Sequence, residues 1–258
     1  MIIYLVYFIT GILAGIIGGL LGTGGCALMM PVLRFGFHFN PAIAVGTTLT
    51  AVVFTAASGA YQHIKMKNVD KRTAWIVGAS GVLGVIIGSI IFGYIKNYGN
   101  LIDLIIGIAF IVVSIRMIYE GVFAKGQGAQ GTEIPGKPLS KGILGAIIGT
   151  LTGIIGLGGG YALVPSFIYF LSAPVKLAIG TSMASFVWIA LVGAIFKIYQ
   201  GVVNIPVAIT LGIGALIGAI YGANLVAKIK PNVLKALFGL LFFYVSLKYI
   251  LIYFGIHI

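Results

Sequence analysis

Two long blocks without a charged residue constrain this chain more than any other feature. Residues 2–33 form one block of 32 residues, and residues 142–175 form another of 34. About 20 apolar residues suffice to cross a bilayer as a helix, so each block is too long for one straight span. Only 8% of the 258 residues are charged, where a soluble domain carries roughly 25%. The sequence therefore predicts an all-α polytopic protein of the cell membrane, with the lipid bilayer as its partner.

The rest of the composition excludes several other classes of protein. The apolar stretches are continuous, whereas the strands of a membrane β-barrel alternate apolar and polar residues in short segments. The net charge of +12 comes from Lys and Arg in short loops, which is typical of the positive-inside rule and not of a nucleic-acid-binding patch. The single cysteine cannot form an internal disulfide. No cluster of nucleophile, base or metal ligands is visible, so we predict neither an enzyme nor a cofactor.

A glycine-rich decapeptide occurs twice in the chain. GTGGCALMMP, residues 22–31, corresponds to GLGGGYALVP, residues 156–165, at an offset of 134 positions. The same offset pairs Gly11 with Gly145, Gly15 with Gly149, Gly19 with Gly153, Ala44 with Ala178, Gly46 with Gly180, Thr47 with Thr181, Gly78 with Gly212, Gly84 with Gly218, and Gly88 with Gly222. We interpret this as an internal duplication. It comprises a first transmembrane repeat at 1–121, a polar cytoplasmic linker at 122–141 and a second repeat at 142–258.

Each repeat is predicted to contain a broken helix followed by three ordinary spans. Glycine-rich sequence does not continue a helix well. The pattern therefore predicts a helix, a break, and a shorter helix that starts near Gly25 or Gly159 and is kinked or ended by Pro31 or Pro165. The ordinary spans are expected at about 42–64, 73–95 and 101–119, and at about 176–198, 206–227 and 236–254.

Charge predicts the orientation of the two repeats. The loop at 65–72 carries four Lys or Arg residues and is expected in the cytoplasm. Its counterpart at 199–206 carries none, so the two loops are expected on opposite sides of the membrane. The halves are then inverted-topology repeats, and this arrangement brings the two breaks together near the midplane.

Two helix breaks near the midplane predict a site for a small anion. The N-terminus of a helix offers free N–H groups and a partial positive charge, as in secondary transporters with discontinuous helices. Close helix packing is the alternative role of glycine, and we favour it for glycines spaced four apart. For the clustered glycines we favour binding. The predicted substrate site consists of Thr23, Gly24, Gly25, Cys26, Thr47, Thr48, Gly158, Gly159, Gly160, Tyr161, Thr181 and Ser182.

Several polar side chains have a second interpretation. The hydroxyl groups of the predicted site can donate to an oxyanion or bond back to their own helix, and the sequence leaves both open. Cys26 is most simply a small buried apolar group. His63 and Lys197 correspond at the same offset near the ends of spans, where we favour snorkelling to the interface over a proton relay. None of the four acidic residues lies where a midplane cation site needs one, which disfavours a cation pump.

The paired decapeptides and the AVGTT and AIGTS segments that follow them make the chain resemble the TauE/SafE family of sulfite exporters. The resemblance covers essentially the whole chain. It implies a permease for small sulfur-containing anions such as sulfite or an organosulfonate, working as an exporter. Two alternatives stay open: an uptake permease for a related anion, and a non-transporting membrane subunit of a larger complex. Whether the chain forms a homo-oligomer is open as well.

Overall fold

The computed structural model describes residues 2–122, 131–156 and 160–254, and most of these residues are helical. A single π-helical turn, Val32–Gly36, continues the second helix. The α-helices are α1 (Ile2–Leu21), α2 (Cys26–Pro31), α3 (Pro41–Lys65), α4 (Lys71–Ile95), α5 (Gly99–Val122), α6 (Pro138–Ile155), α7 (Gly160–Phe170), α8 (Val175–Tyr199), α9 (Ile205–Val226) and α10 (Pro231–Tyr253).

Seven helices of the described chain are long and apolar enough to cross a membrane, namely α1, α3, α4, α6, α8, α9 and α10. This confirms the prediction of an all-α polytopic membrane protein. The predicted spans of the first half correspond to α3, α4 and α5, and those of the second half to α8, α9 and α10. As predicted, a helix, a break and a shorter helix precede them in each half. Pro31 marks the change from α2 to the π turn, whereas Pro165 lies inside α7.

The helices of the two halves are interleaved. Helix α1 packs against α9, and the equivalent α6 packs against α4. Helices α3 and α8 pack against each other, as do α5 and α10, while α3 also contacts α9 and α8 contacts α4. Each of these contacts between a helix of the first half and a helix of the second half has a counterpart between the two equivalent helices. Neither half therefore folds around a core of its own, although the boundaries of the predicted repeats stay a prediction.

Close approach within these helix pairs depends on glycine. A Cβ atom on Gly15 of α1 would collide with the carbonyl group of Ala215 in α9. In the equivalent pair, Gly149 of α6 lies in the same way against the backbone of Gly81 in α4. Small residues spaced four apart let membrane helices touch backbone to backbone. The glycines spaced four apart on α1 and α6 thus serve helix packing.

Contacts along the helices give their relative directions. Successive glycines of α1 meet successive turns of α9, so these two helices run parallel. Helices α3 and α8 run antiparallel. Gly46 near the start of α3 lies against Val202 beyond the end of α8, and Gly180 near the start of α8 lies against Asn68 beyond the end of α3. The loops that follow α3 and α8 consequently lie at opposite ends of this central helix pair.

A buried polar cluster fastens the described part of the linker to the start of α4. Asp70 caps α4, because its carboxylate accepts hydrogen bonds from the amide (3.1 Å) and the hydroxyl (2.6 Å) of Thr73. The same carboxylate accepts from the amide of Ile134, at 2.9 Å. The Nζ atom of Lys141 donates to the Ile134 carbonyl (2.6 Å) and to the Thr73 hydroxyl (2.7 Å). Helix α6 begins at Pro138, inside the predicted linker.

The surroundings of Asp70 favour its charged form. Burial by itself raises the pKa of this carboxyl. Hydrogen bonds from Thr73 and Ile134 and the charge of Lys141 outweigh that effect, so the pKa lies below its usual range. The stability that this carboxylate contributes is therefore present above its pKa in the unfolded chain. It is lost as the pH falls through the lower pKa of the folded protein.

Replacing the Asp70 carboxylate should destabilise the protein at neutral pH. We expect Asp70→Asn to cost about 1–3 kcal/mol, because it weakens a buried, charge-assisted hydrogen-bond cluster. Thermal unfolding in detergent measures the effect. The difference from the wild type should shrink as the pH falls through the pKa of Asp70. Glu133→Gln, at an exposed position of the same linker, is the matched control and should have little effect. Equal unfolding temperatures for Asp70→Asn and Glu133→Gln would contradict the role of the cluster.

The sidedness of the two loops can be tested by cysteine labelling. The chain has a single, buried cysteine, so a Cys26→Ala background carries no accessible thiol. In this background we expect Lys71→Cys to react with an impermeant thiol reagent only from the cytoplasm, because its loop is basic. Tyr199→Cys, at the opposite end of the central helix pair, should react only from outside. Reaction of both positions from the same side would contradict the predicted inversion of the repeats.

Candidate functional site

The two helix breaks meet in the interior of the protein. A Cβ atom on Gly160 would collide with the carbonyl oxygen of Gly22, and Thr23 lies beside it. Gly24 packs against Val52 of α3 and Phe186 of α8, which are near the middle of these helices. Leu157, Gly158 and Gly159 lie outside the described residues. Of the predicted glycines, the described ones are thus brought together at mid-height of the central helix pair.

The glycines of the first break are required by the backbone itself. Gly22, Gly24 and Gly25 have φ angles of 73°, 71° and 81°, in the left-handed region that side chains disfavour. A Cβ on Gly24 would also lie 2.5 Å from a methyl group of Val52. Any substitution of Gly24 therefore strains the break whether or not a ligand binds there. The hydroxyl-bearing neighbours are better probes of ligand binding than the glycines.

Thr23 and Cys26 form a local network within the first break. The amide of Gly25 donates to the hydroxyl oxygen of Thr23 at 3.3 Å. The thiol of Cys26 donates to the carbonyl oxygen of Thr23 at 3.2 Å, and the Cys26 side chain is fully buried. A thiol held in this way fits the interpretation of Cys26 as a small core group. The network fixes the turn that separates α1 from α2.

Ser182 connects the second half to the first break. Its hydroxyl group shares its one proton between the carbonyl of Ile179, one turn earlier in α8, at 2.8 Å and the carbonyl of Gly22 at 3.1 Å. Thr48 occupies the equivalent position on α3. Its hydroxyl group is fully buried and has no hydrogen-bond partner among the described residues. The two equivalent hydroxyls therefore differ, because one is engaged with backbone and the other is unsatisfied.

Tyr161 supplies a second unsatisfied hydroxyl. It lies in the first turn of α7, directly after the second break, and only 1% of its surface is exposed. Its ring packs edge-on against Phe110, with the ring centres 5.2 Å apart, and also contacts Phe242. Within the described chain, the hydroxyl oxygen has no partner. Because a buried hydroxyl without a partner is costly, Thr48 and Tyr161 are the strongest candidates for ligand contacts.

The hydroxyls of Thr47 and Thr181 are engaged with loops of the opposite half. The hydroxyl of Thr47 accepts a hydrogen bond from the amide of Asn204 at 3.0 Å, and that of Thr181 accepts from the amide of Asp70 at 2.9 Å. Asn204 and Asp70 cap α9 and α4, respectively. Each of these threonines thus anchors a loop of the other half, and its role in binding stays a prediction.

His63 and Lys197 do not snorkel to the interface, which corrects the favoured interpretation of the sequence. Both side chains are fully buried. An imidazole nitrogen of His63 lies 3.1 Å from the carbonyl oxygen of Gly19, and Lys197 Nζ donates to the carbonyl of Gly153 at 2.7 Å. These carbonyls belong to the last turns of α1 and α6, where the helical hydrogen bonds run out. The two side chains therefore cap the helices that lead into the breaks.

Comparison with known families decides the class of the protein. Residues 7–249 match the family described as sulfite exporter TauE/SafE. The chain belongs to this TauE/SafE family. As expected for the family, it is a multi-pass protein of the membrane, and the described part of the chain supplies seven helices suited to crossing it.

Relatives of this TauE/SafE protein are similar to it over most of their length. The "Probable membrane transporter protein YdhB" of Bacillus subtilis (strain 168) is 29% identical over 238 residues, covering 92% of this chain and 94% of the relative. The "Probable membrane transporter protein MJ0441" of Methanocaldococcus jannaschii is 30% identical over 251 residues, covering 88% of each. No solved structure gives a significant match. The coarse function supported by these comparisons is membrane transport.

An ion pair near the first break was not predicted from the sequence. Arg34, in the π turn after α2, donates through its Nη2 atom to the fully buried carboxylate of Asp103 in α5, at 2.9 Å. Arg34 also reaches the carbonyl of Phe39 at 3.4 Å. The two charges are far apart along the chain, and no local pattern connects them. Their pairing neutralises the acid within this TauE/SafE fold, so Asp103 does not offer a free carboxylate to a cation.

Removing an unsatisfied hydroxyl should weaken ligand binding without weakening the fold. Thr48→Val keeps the shape of the side chain, and we expect it to lower the affinity for sulfite about 2- to 10-fold, the worth of one neutral hydrogen bond. Tyr161→Phe should act in the same direction. Sulfite-dependent stabilisation of the purified protein against heat is the measurement. Both variants should unfold at or above the wild-type temperature when no anion is present.

Thr152→Val provides the matched control for Thr48→Val. Thr152 is equally buried, but its hydroxyl donates to the carbonyl of Ile148 in its own helix, at 2.8 Å. This variant should keep the wild-type affinity for sulfite. If Thr48→Val and Thr152→Val bind sulfite equally well, the unsatisfied Thr48 hydroxyl is not a ligand contact.

Proposed function

We propose that the protein is a secondary transporter that exports a small sulfur-containing oxyanion, sulfite or an organosulfonate. The anion binds where the two helix breaks meet. The proposal goes beyond membrane transport, which the family and the relatives support. The observation that carries it is the pair of buried, unsatisfied hydroxyls of Thr48 and Tyr161. Thr48 lies one turn before Val52, which packs against Gly24 of the first break, and Tyr161 follows the second break directly.

Buried hydroxyls suit an oxyanion ligand. A hydroxyl that has lost its contact with water and found no partner costs about 1–3 kcal/mol. Oxygen atoms of sulfite would accept from both hydroxyls and remove this cost. Neutral donors and the partial positive charge at the start of α7 bind an anion more weakly than a formal ion pair would. A weakly held ion is what turnover requires, since the ion must also leave.

The charges of the described chain favour an anion over a cation. Its buried carboxylates are already engaged: Asp70 contacts the linker and Lys141, and Asp103 pairs with Arg34. Cation sites in membrane transporters use carboxylates or exposed carbonyls. At the meeting point, the carbonyl of Gly22 is occupied by the hydroxyl of Ser182. Thr48 and Tyr161 keep hydroxyls that can donate to an anion.

We further propose that the halves are inverted repeats that alternate access to this site. Support comes from the antiparallel packing of the equivalent helices α3 and α8. It also comes from three pairs of residues at the common offset with left-handed φ angles between 51° and 73°, namely Gly22 and Gly156, His38 and Ser172, and Lys67 and Gly201. Equivalent turns at opposite ends of the central pair give each side of the membrane its own gate. Tight packing of Gly24 in this structure corresponds to a closed site.

Transport assays in proteoliposomes test the proposed function directly. We expect saturable movement of labelled sulfite or sulfoacetate above the level of empty liposomes, with slower movement of sulfate. The Thr152→Val protein serves as a folded control and should behave like the wild type. Failure of every one of these anions to move through the folded wild-type protein would contradict the proposal.

The direction of export can be measured separately. Cells that produce the protein should release sulfite faster than cells that produce Thr48→Val at the same membrane level. Faster accumulation of sulfite instead would identify an uptake permease built on the same site.

A further inference from the structure

Lys197 buries its amino group without a carboxylate partner among the described residues. Its side chain is fully buried, its Nζ atom donates to the Gly153 carbonyl at 2.7 Å, and Nζ lies 3.2 Å from the centre of the Phe92 ring. The other buried lysine of the described chain, Lys141, lies 4.0 Å from the Asp70 carboxylate. No acidic side chain of the described residues forms an ion pair with Lys197. A charge in this position is expensive in a membrane protein and typically marks an ion path.

Capping the end of α6 does not by itself require this charge. In the first half, the equivalent carbonyl of Gly19 is bonded by an imidazole nitrogen of His63. A neutral imidazole is sufficient to donate one hydrogen bond to a carbonyl. The second half performs the same task with a lysine, whose amino group has additional N–H donors. These additional donors are therefore available for another partner.

An unsatisfied hydroxyl lies on the helix face that Lys197 contacts. Ser89 of α4 precedes Phe92 by three residues, so both side chains share one face of that helix. The Ser89 hydroxyl is buried and has no partner among the described residues. Its backbone amide would lie 2.6 Å from a Cβ on Gly153, the residue whose carbonyl Lys197 bonds. The Lys197 amino group and the free Ser89 hydroxyl thus both lie where α4, α6 and α8 pack together.

Lys197 lies next to the place where the two helix breaks meet, which is the proposed central site. Gly153 lies in the last turn of α6, three residues before Gly156, where α6 gives way to the second break. No acid is contributed by the described parts of α3, α4, α6 and α7, which pack against α8. The histidine, lysine and arginine residues of these helices lie at the ends remote from Lys197, namely His63, Lys65, Lys71, Arg72 and Lys141. The closest charged neighbour along α4 is Lys96, which donates to the carbonyl of Gln200 at 3.2 Å. No carboxylate of these helices therefore competes with an anion for Lys197.

We propose that Lys197 and Ser89 bind the transported anion at a second station, between the central site and one face of the membrane. When protonated, the amino group of Lys197 supplies the counter-charge to the bound anion, and the Ser89 hydroxyl supplies a further donor to an oxyanion. The inference rests on the proposed function, because it assumes that an anion passes through the protein. It adds a charged residue to a path that otherwise consists of neutral donors.

Two substitutions separate a counter-charge from a helix cap. Lys197→Gln keeps an N–H donor for the Gly153 carbonyl and removes the charge. We expect its KM for sulfite in proteoliposomes to rise about tenfold or more, because a charge-assisted hydrogen bond is lost. Lys197→His copies the cap of the first half. We expect it to transport well at acidic pH and poorly above about pH 7, as the imidazole loses its proton. The wild type should lose activity only at a higher pH, because in the same surroundings a lysine that pairs with a bound anion holds its proton more strongly than an imidazole does.

The matched control is His63→Gln, the same kind of change at the equivalent cap. It should leave the KM for sulfite close to the wild-type value, since this half carries no counter-charge. Wild-type KM in Lys197→Gln would overturn the inference, as would a Lys197→His protein whose pH profile matches the wild type. If Lys197→Gln does not fold, the pH profile of Lys197→His decides alone, because it compares one folded protein at two pH values.

The wild-type protein distinguishes this inference from the proposed function. If it moves none of sulfite, sulfate and sulfoacetate, both the function and the inference are contradicted. If it moves sulfite and Lys197→Gln does so with an unchanged KM, only the second station is contradicted. A rise in KM for Ser89→Ala, smaller than that for Lys197→Gln, would support a second station formed by Lys197 and Ser89.

Discussion

Helices α1 and α6 both end inside the protein, and the carbonyl groups of their last turns have no hydrogen-bond donor within the helix. The rest of the structure depends on the need to supply these donors. Lipid offers no donor to such groups, so the protein must supply one for each. His63 bonds the carbonyl of Gly19, Lys197 bonds that of Gly153, and Ser182 bonds that of Gly22. All three donors come from α3 and α8. The antiparallel pair at the centre is therefore what makes two interrupted helices tolerable at this depth.

The same central pair also explains why the site is built from unequal parts. The offset of 134 positions gives each half the same helices and turns, but the side chains have diverged where they meet the breaks. Thr48 leaves its hydroxyl unsatisfied, whereas Ser182 uses its own on a carbonyl. His63 caps with an imidazole, and Lys197 caps with an ammonium. The two halves thus share the same helices but present different hydrogen-bond donors and charges. An anion can therefore meet different groups on its way to each face of the membrane.

Local pattern was sufficient to predict the elements, but it was not sufficient to predict their contacts. Uncharged blocks and clustered glycines depend on neighbouring residues, so the all-α membrane fold and the positions of the helices were predicted correctly from the sequence. The pairing of Arg34 with Asp103 depends on two segments far apart along the chain, and nothing local signals it. For Lys197, proximity to a helix end suggested snorkelling, because the sequence does not show that α4 and α6 cover that end. The hydrogen bond between Thr47 and Asn204 was not predicted for a similar reason, since it joins two distant segments.

The packing of Gly15 against Ala215 has a consequence for biosynthesis. Helix α1 leaves the ribosome well before α9, the helix that fills its glycine face. Until α9 is synthesised, the glycine face of α1 must be covered by lipid or by the insertion machinery, and Ser182 is not yet present to contact the carbonyl of Gly22 in the first break. The two halves therefore cannot mature one after the other as tandem domains would. Loss of α9 should consequently destabilise α1.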